Sequence, residues 1–384
     1  MKPNSNSESH LTCMSMPSKG KSPFHSRFLS RVRLALLAGA VMCSATSGAE
    51  PQLGVYRWTN GTRNVDAFAA WLGQDVVWGE DFIGSESWSN VAWPVWWLET
   101  WAKWVKAKPG RRLVLAVPML TGPVDGSGPQ QGDIGKGVPV SLGKGAHGEY
   151  NPYFKQLAEN LVKFGLGDAV LRPGWEFNGD WYAWRAKGKA AEFAEYWRQM
   201  VTAMRAAPGA EKLQFCWNPT LGDQQFPAEQ AWPGDAFVDF VGLDVYDETW
   251  NENTYPWPAG TTEADRAARQ AKVWNEWLFG SKWGLAFWAK FAHEHKKPLA
   301  IPEWGLVSSE NGHGGLDNVL FIERMKAFIT DPANNVAWHC YFDVNAPGHH
   351  HQVSSGVGEH GQPDKTEFPR ASARFAELFG GHAK

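Results

Sequence analysis

Two glutamates in tryptophan-rich surroundings carry the chemistry legible in this chain: Glu176, within Arg172-Pro-Gly-Trp-Glu-Phe-Asn-Gly-Asp-Trp-Tyr-Ala-Trp184, and Glu303, within Ile301-Pro-Glu-Trp-Gly305. Each closes a short run of strand character. Cleaving a glycosidic bond needs such a pair: one carboxyl protonates the leaving oxygen while a carboxylate meets the positive charge developing on the opposite face of the sugar. Aromatic planes beside them suit stacking on the C–H face of a pyranose, with an indole N–H reaching a hydroxyl. On this reading Glu176 is the general acid/base, its ionisation disfavoured by apolar neighbours such as Trp175. Glu303 is the nucleophile, held by donors such as the Tyr246 hydroxyl or Arg172. A separation of about 5–5.5 Å leaves no room for a water between the carboxylates and makes cleavage retaining. The structural alternatives are a Glu176–Arg172 ion pair and a helix-capping or salt-bridged Glu303.

Substrate contacts are expected from residues near these strand ends. Trp181, Trp184, Trp304 and Trp338 are candidate stacking platforms, with Trp175 and Trp217 beside them. Asn178, Asn218 and Asp244 are candidate hydroxyl ligands, and Arg172 and Tyr246 complete the set. Arg172 suits two roles equally, orienting a site carboxylate or bracing the barrel floor. Glu80, Asp81 and Glu86 are possible cleft residues, although exposed loop acids are the commoner case.

The elements that must position these residues alternate. Strand-like runs are read at 52–57, 75–78, 112–118, 168–176, 213–218, 238–246, 298–303 and 336–342. Helical patterns fall at 64–72, 93–107, 152–164, 189–206, 264–295 with a break at Gly280 or Gly284, 316–330 and 370–379, with a short helix within 227–232. Eight strands each followed by a helix predict a closed (β/α)8 TIM barrel, an α/β fold in a single domain over 50–384. An open doubly wound sheet is the alternative, but no Gly-rich phosphate loop follows the first strand. Strand alternation predicts that Arg172, Gly174 and Glu176 share an inward face, as do Leu299, Ile301 and Glu303, and likewise Asp244 and Tyr246.

The first 49 residues read as a signal peptide. Basic residues Lys19 to Arg33 precede the apolar run Leu34–Cys43, and Ser47-Gly48-Ala49 supplies small residues for cleavage, so a secreted or periplasmic protein is expected. The apolar run is shorter than the roughly 20 residues of a membrane span, which argues against stable membrane insertion. A net charge of −3 gives no electrostatic footprint for nucleic acid. With 23 Trp in 384 residues, most are expected in the core, and those flanking the glutamates are the exceptions. Cys216 and Cys340 read as buried free thiols, with a disulfide permitted by the compartment. His349-His350-His351 reads as a solvated loop and His293-Glu-His295 as an exposed helix end. Neither has a metal-site spacing, so no metal or cofactor is expected. The partner is a polysaccharide substrate and the chain is expected to act as a monomer.

Taken together, Leu171–Trp184 resembles the acid/base segment of glycoside hydrolase family 26, and Ile301–Gly305 resembles its nucleophile segment. Phe215-Cys-Trp-Asn-Pro219 and Val241-Gly-Leu-Asp-Val-Tyr246 are similar to that family's fifth and sixth strands. The resemblance implies a (β/α)8 barrel with Glu176 as acid/base on strand four, Glu303 as nucleophile on strand seven and Tyr246 as the nucleophile's partner. It implies retaining hydrolysis of a β-linked polysaccharide, most often β-mannan, with mixed-linkage β-glucan and β-1,3-xylan also known. Family members usually carry His immediately before the acid/base, where this chain has Trp175. The stretch 121–148, read as a long Gly-rich loop, and Trp78-Gly-Glu-Asp81 are further departures. The sequence therefore points to a mannanase-like endo-β-glycanase, against two alternatives on the same barrel: a carbohydrate-binding pseudoenzyme, and a transglycosylase or exo-glycosidase.

Overall fold

The computed structural model describes residues 50–122, 139–224, 226–356 and 365–381. The leader read at 1–49 and residues 123–138 of the Gly-rich stretch lie outside them. Parallel strands β1 (Gln52–Tyr56), β2 (Trp78–Phe82), β3 (Arg112–Val117), β4 (Val170–Pro173) and β5 (Gln214–Trp217) pair in sequence order. The sixth barrel strand is split into β6 (Phe240–Gly242) and β7 (Val245–Tyr246), both paired to β8 (Leu299–Gly305). A two-residue β9 (Ser308–Ser309) follows, and then β10 (Val336–Phe342), which pairs with both β8 and β1 and closes the barrel. Short strands β11 (Asn345–Ala346) and β12 (His349–His350) form a small antiparallel sheet with β9.

Helices fill the outer layer and, apart from two short ones at 88–92 and 142–146, lie where the apolar periodicity placed them. They are α1 (Thr62–Leu72), α2 (Trp88–Ala92), α3 (Val95–Ala107), α4 (Leu142–Ala146), α5 (Asn151–Lys163) and α6 (Ala190–Arg205). After them come α7 (Glu263–Lys272), α8 (Leu285–Glu294), α9 (Val319–Thr330) and α10 (Pro369–Phe379). The long pattern at 264–295 breaks as expected: α7 runs into wide π-helical turns at Val273–Phe279, and Gly280 and Gly284 both lie before α8. Three readings need correction. The second strand sits at Trp78–Phe82 rather than 75–78, because Glu80 and Asp81 are buried barrel residues and not loop acids. Part of the stretch read as loop, 142–146, forms α4, started by the Ser141 hydroxyl accepting the Lys144 N–H. His349-His350-His351 belongs to the small sheet and its end, with His351 buried, rather than to a solvated loop.

The apolar core has two parts, as strand alternation requires. Residues facing the helices, such as Leu113, Leu171, Phe215 and Tyr341, join the helix faces in one large cluster. Inward residues Trp78, Val114, Val170, Cys216, Phe240, Ala300, Trp338 and Cys340 fill the barrel floor. Each large apolar side chain so buried contributes roughly 1.5–3 kcal/mol. Both cysteines are free and buried there. The floor fits because β1 carries Gly54 where a Cβ would lie 2.5 Å from both Cys340 Sγ and Trp78 Cβ. Above the floor, Arg57 donates to the Asp343 carboxylate at 2.6 Å and to its carbonyl at 2.7 Å, fastening the exit of β1 to that of β10. Gly54→Ala, which forces a methyl against a backbone oxygen and two packed side chains, should cost about 1–3 kcal/mol. A lowered denaturant midpoint with an unchanged slope is the expected signature.

Candidate active site

Directly above the floor, one guanidinium organises the carboxyl end of the barrel. Arg172, at the end of β4, is fully buried. Its Nε donates to Asn218 Oδ1 at 2.6 Å, one terminal nitrogen donates to Glu80, and the other donates to Asp244 Oδ2 at 2.9 Å and to Glu303 Oε1 at 2.5 Å. Burial alone would lower the arginine pKa, but the charges of Asp244, Glu80 and Glu303 outweigh it and raise it well above its ordinary value. Three carboxylates against one cation leave a surplus of two negative charges in a dry interior, which is too costly to hold. Burial first, and then the neighbouring acids, accordingly push Glu80 and Asp244 well above the usual carboxylate range in spite of Arg172. Of the two roles open to Arg172, it performs the first, orienting a site carboxylate, and does so from above the floor.

Glu303 hangs from β8 into this centre. Its Oε2 accepts from the Tyr246 hydroxyl at 2.7 Å, Oε1 accepts from Arg172, and its backbone N–H donates to Asp244 Oδ1 at 3.1 Å. It does not share a face with Leu299 and Ile301, as simple alternation predicted. Those two pack outward with the helix layer, whereas Ala300 lies in the floor. Opposite β10, the register slips: His339 meets Ile301 while Tyr341 meets Trp304, so three residues of β8 advance for two of β10. This bulge around Pro302 reverses the alternation and turns Glu303 inward.

Glu176 reaches the site from a turn rather than from the strand itself. β4 ends at Pro173, and the backbone bends through Gly174 (φ 54°) and Glu176 (φ 51°). A left-handed non-glycine residue costs on the order of 1–3 kcal/mol and persists only when its surroundings hold it. Here the Glu176 N–H donates to the Asn218 carbonyl at 2.7 Å, and the Asn178 side chain clasps the Thr220 backbone through two 2.8 Å hydrogen bonds. The carboxyl accepts from the Trp181 indole at 2.9 Å. Burial among aromatic rings, reinforced by the Glu303 charge and opposed by Trp181 and Arg172, raises its pKa to about 7. The site thus holds one carboxylate gripped by two donors and one carboxyl poised to carry a proton near neutral pH.

The remaining candidates divide sharply. Trp181 and Tyr246 stay half-open beside the glutamates. Trp184, Trp217, Trp304 and Trp338 are fully buried and closed to a sugar ring. Trp338 is a floor residue, and Trp217 packs outward against Trp288 and Phe291. Trp304 packs against Phe375 and Phe379 of α10, and the Trp184 indole donates to the Trp175 carbonyl. Asn178, Asn218 and Asp244 are buried, and every side-chain nitrogen and oxygen of each already has a protein partner. Trp175 is nearly buried, with its N–H donating to Tyr182 and its ring against Phe82. Sequence reasoning missed Glu80 as the partner of Arg172, and also Phe82 and Tyr182; the one available signal was an acid pair in an otherwise apolar strand. His351, also missed, packs its ring 5.0 Å from that of Tyr246. Among the described residues no three His, Cys, Asp or Glu side chains group as a metal site.

A closed parallel barrel with two glutamates at its carboxyl end, around a buried arginine, has the architecture of the (β/α)8 glycoside hydrolases. The sequence model of glycosyl hydrolase family 26 matches residues 147–261, a stretch that holds Arg172, Glu176, Asn218, Asp244 and Tyr246. A mannan endo-1,4-β-mannosidase from Bifidobacterium adolescentis is 23% identical over 207 residues, covering 52% of this chain but only 19% of that protein. Among solved structures, a double mutant of the Cellulomonas fimi endo-β-1,4-mannanase superposes with a TM-score of 0.55 at 20% identity, over 86% of this chain and 71% of that one. The catalytic domain of a family 26 endo-β-1,4-mannanase from Bacillus sp. JAMB-750 gives a TM-score of 0.55 at 19% identity, over 87% and 86%. Over residues 147–261 the chain thus matches glycoside hydrolase family 26, and identities of 19–23% mark it as divergent from these mannanases.

The arginine cluster predicts unequal sensitivity among its members. Arg172→Lys keeps the charge but loses the planar fork that reaches four partners, and should cost about 3–5 kcal/mol in a denaturation experiment. Glu80→Gln mimics the protonated acid and should cost about 1 kcal/mol or less by the same measurement.

Proposed function

We propose that this protein is a retaining endo-β-glycanase acting on a β-mannan-type polysaccharide by double displacement. The observation that carries the reading is the contrast between the two glutamates: Glu303 accepts from Arg172 and Tyr246, while Glu176 has its pKa raised to about 7. In the first step Glu303 attacks the anomeric carbon, and the glycosidic oxygen leaves with the proton from Glu176. In the second, Glu176 takes a proton from water, which displaces Glu303 and restores the starting state. Tyr246 and Arg172 hold the nucleophile in line, and Asp244 fixes its backbone. The names of the relatives make β-1,4-mannan the first substrate to try. Trp175, standing where family members usually carry His and donating to Tyr182, favours testing mixed-linkage β-glucan, β-1,3-xylan and bacterial exopolysaccharides beside it. The basic and apolar leader supports export before the protein meets such a polymer.

Product release from a panel of these glycans tests the reading. Oligosaccharides from one polymer with the wild type, and none with Glu303→Ala, are the expected result; full activity in Glu303→Ala would overturn the assignment. Since the acid form of Glu176 is present below its pKa and lost above it, kcat/KM should fall on the alkaline side with an apparent midpoint of about 7. With an aryl glycoside whose leaving group needs no proton, Glu176→Ala should still form the glycosyl-enzyme, and azide should trap it as a β-glycosyl azide. Tyr246→Phe keeps the ring against His351 but deletes the donor to Glu303, and should lower kcat on the order of 100-fold with little change in melting temperature.

A further inference from the structure

Beyond β2 the surface forms a groove for which the two-glutamate chemistry has no use. It encloses about 560 Å³ and is lined by Thr59, Phe82, Glu86, Asn90, Trp93 and Trp97 among others. Phe82 joins it to the catalytic centre: its ring lies 5.4 Å from that of Trp175 and 5.5 Å from the guanidinium carbon of Arg172. Most tryptophans of this chain are buried, but Trp93 leaves 48% of its surface in water. Its backbone is nonetheless firmly held. Trp93 stands between α2 and α3, with its N–H on the Ser89 carbonyl at 2.9 Å and Pro94 leading into α3. The Ser87 hydroxyl caps α2 by accepting the Asn90 N–H at 3.2 Å.

Polar groups line the same groove. Asn90 Nδ2 donates to Glu86 Oε2 at 2.6 Å, and the carboxylate folds back over Gly84, where a Cβ would lie 2.3 Å from that oxygen. A half-exposed aromatic ring on a held backbone, with a carboxylate–amide pair in the same groove, suits one kind of ligand: a ring with an apolar C–H face and equatorial hydroxyls. The volume falls within the range of ordinary small-ligand sites. We propose that this groove is an outer sugar subsite, with Trp93 as its stacking platform and Glu86 and Asn90 as its hydroxyl ligands, binding the glycan chain beyond the unit held at the glutamates. The inference rests on the glycanase reading and adds that the protein acts on long chains.

Trp93→Ala in the full chain tests it, because the residue is half-exposed and touches no catalytic group. With mannohexaose, kcat/KM should fall roughly three- to tenfold through KM, with kcat unchanged, whereas mannotriose turnover should hardly move. Equal losses on both substrates, or no loss on either, would overturn the subsite. Mobility in a native gel containing konjac glucomannan separates this proposal from the catalytic one. Wild-type retardation that weakens in Trp93→Ala supports the groove even if neither protein cleaves manno-oligosaccharides; equal mobility of the two proteins overturns it, whether or not the wild type is active.

Discussion

A single buried cation governs this molecule. Arg172 is reached by Glu80 from β2, Asn218 from the end of β5, Asp244 from between β6 and β7 and Glu303 from β8, so one guanidinium ties together strands from around the barrel. A buried ion group of this kind is weak evidence for stability, since desolvating it offsets most of the attraction. Its value is geometric: the fork admits its partners in one arrangement only. Closing the barrel and aiming Glu303 are therefore a single structural event.

The same residue type acquires two characters from two surroundings. Glu303 meets the guanidinium and a phenol; Glu176 meets aromatic rings, one indole donor and the repulsion of Glu303. The charge on Glu303 is thus part of what favours the acid form of Glu176. Asn218 links the two halves, since its side chain holds Arg172 and its carbonyl receives the Glu176 N–H. A displacement at the end of β5 would reach both glutamates at once.

Much of this was legible in the residues. The barrel could be read because period-2 and period-3.6 patterns alternate, and the long helical stretch was correctly broken at its glycines. The placement of the two glutamates at strand ends followed from their segments. What failed was local. Alternation mispredicted Leu299 and Ile301 because a bulge is a pairing property, set by β10 as well as β8. Four tryptophans beside the site turned out to be structural: Trp217 and Trp304 turn out against the helix layer, Trp338 turns into the floor, and Trp184, in the loop after β4, packs against Trp175 and Tyr182. Glu80 and Asp81 passed for surface acids because burial of a charge depends on partners distant in sequence, Arg172 and Trp101.

The bulge in β8 also sets which parts of the chain support Glu303. Glu303 points into the cleft and its neighbour Trp304 points out, onto Phe375 and Phe379 of α10, while its indole donates to the buried, neutral His339 on β10. The two side chains share one stretch of backbone, so the last helix acts as a buttress behind Glu303. Residues packed behind the strand are thereby placed under the same constraint as those in the cleft. The functional boundary of this barrel runs through its last helix, well outside the rim of its site.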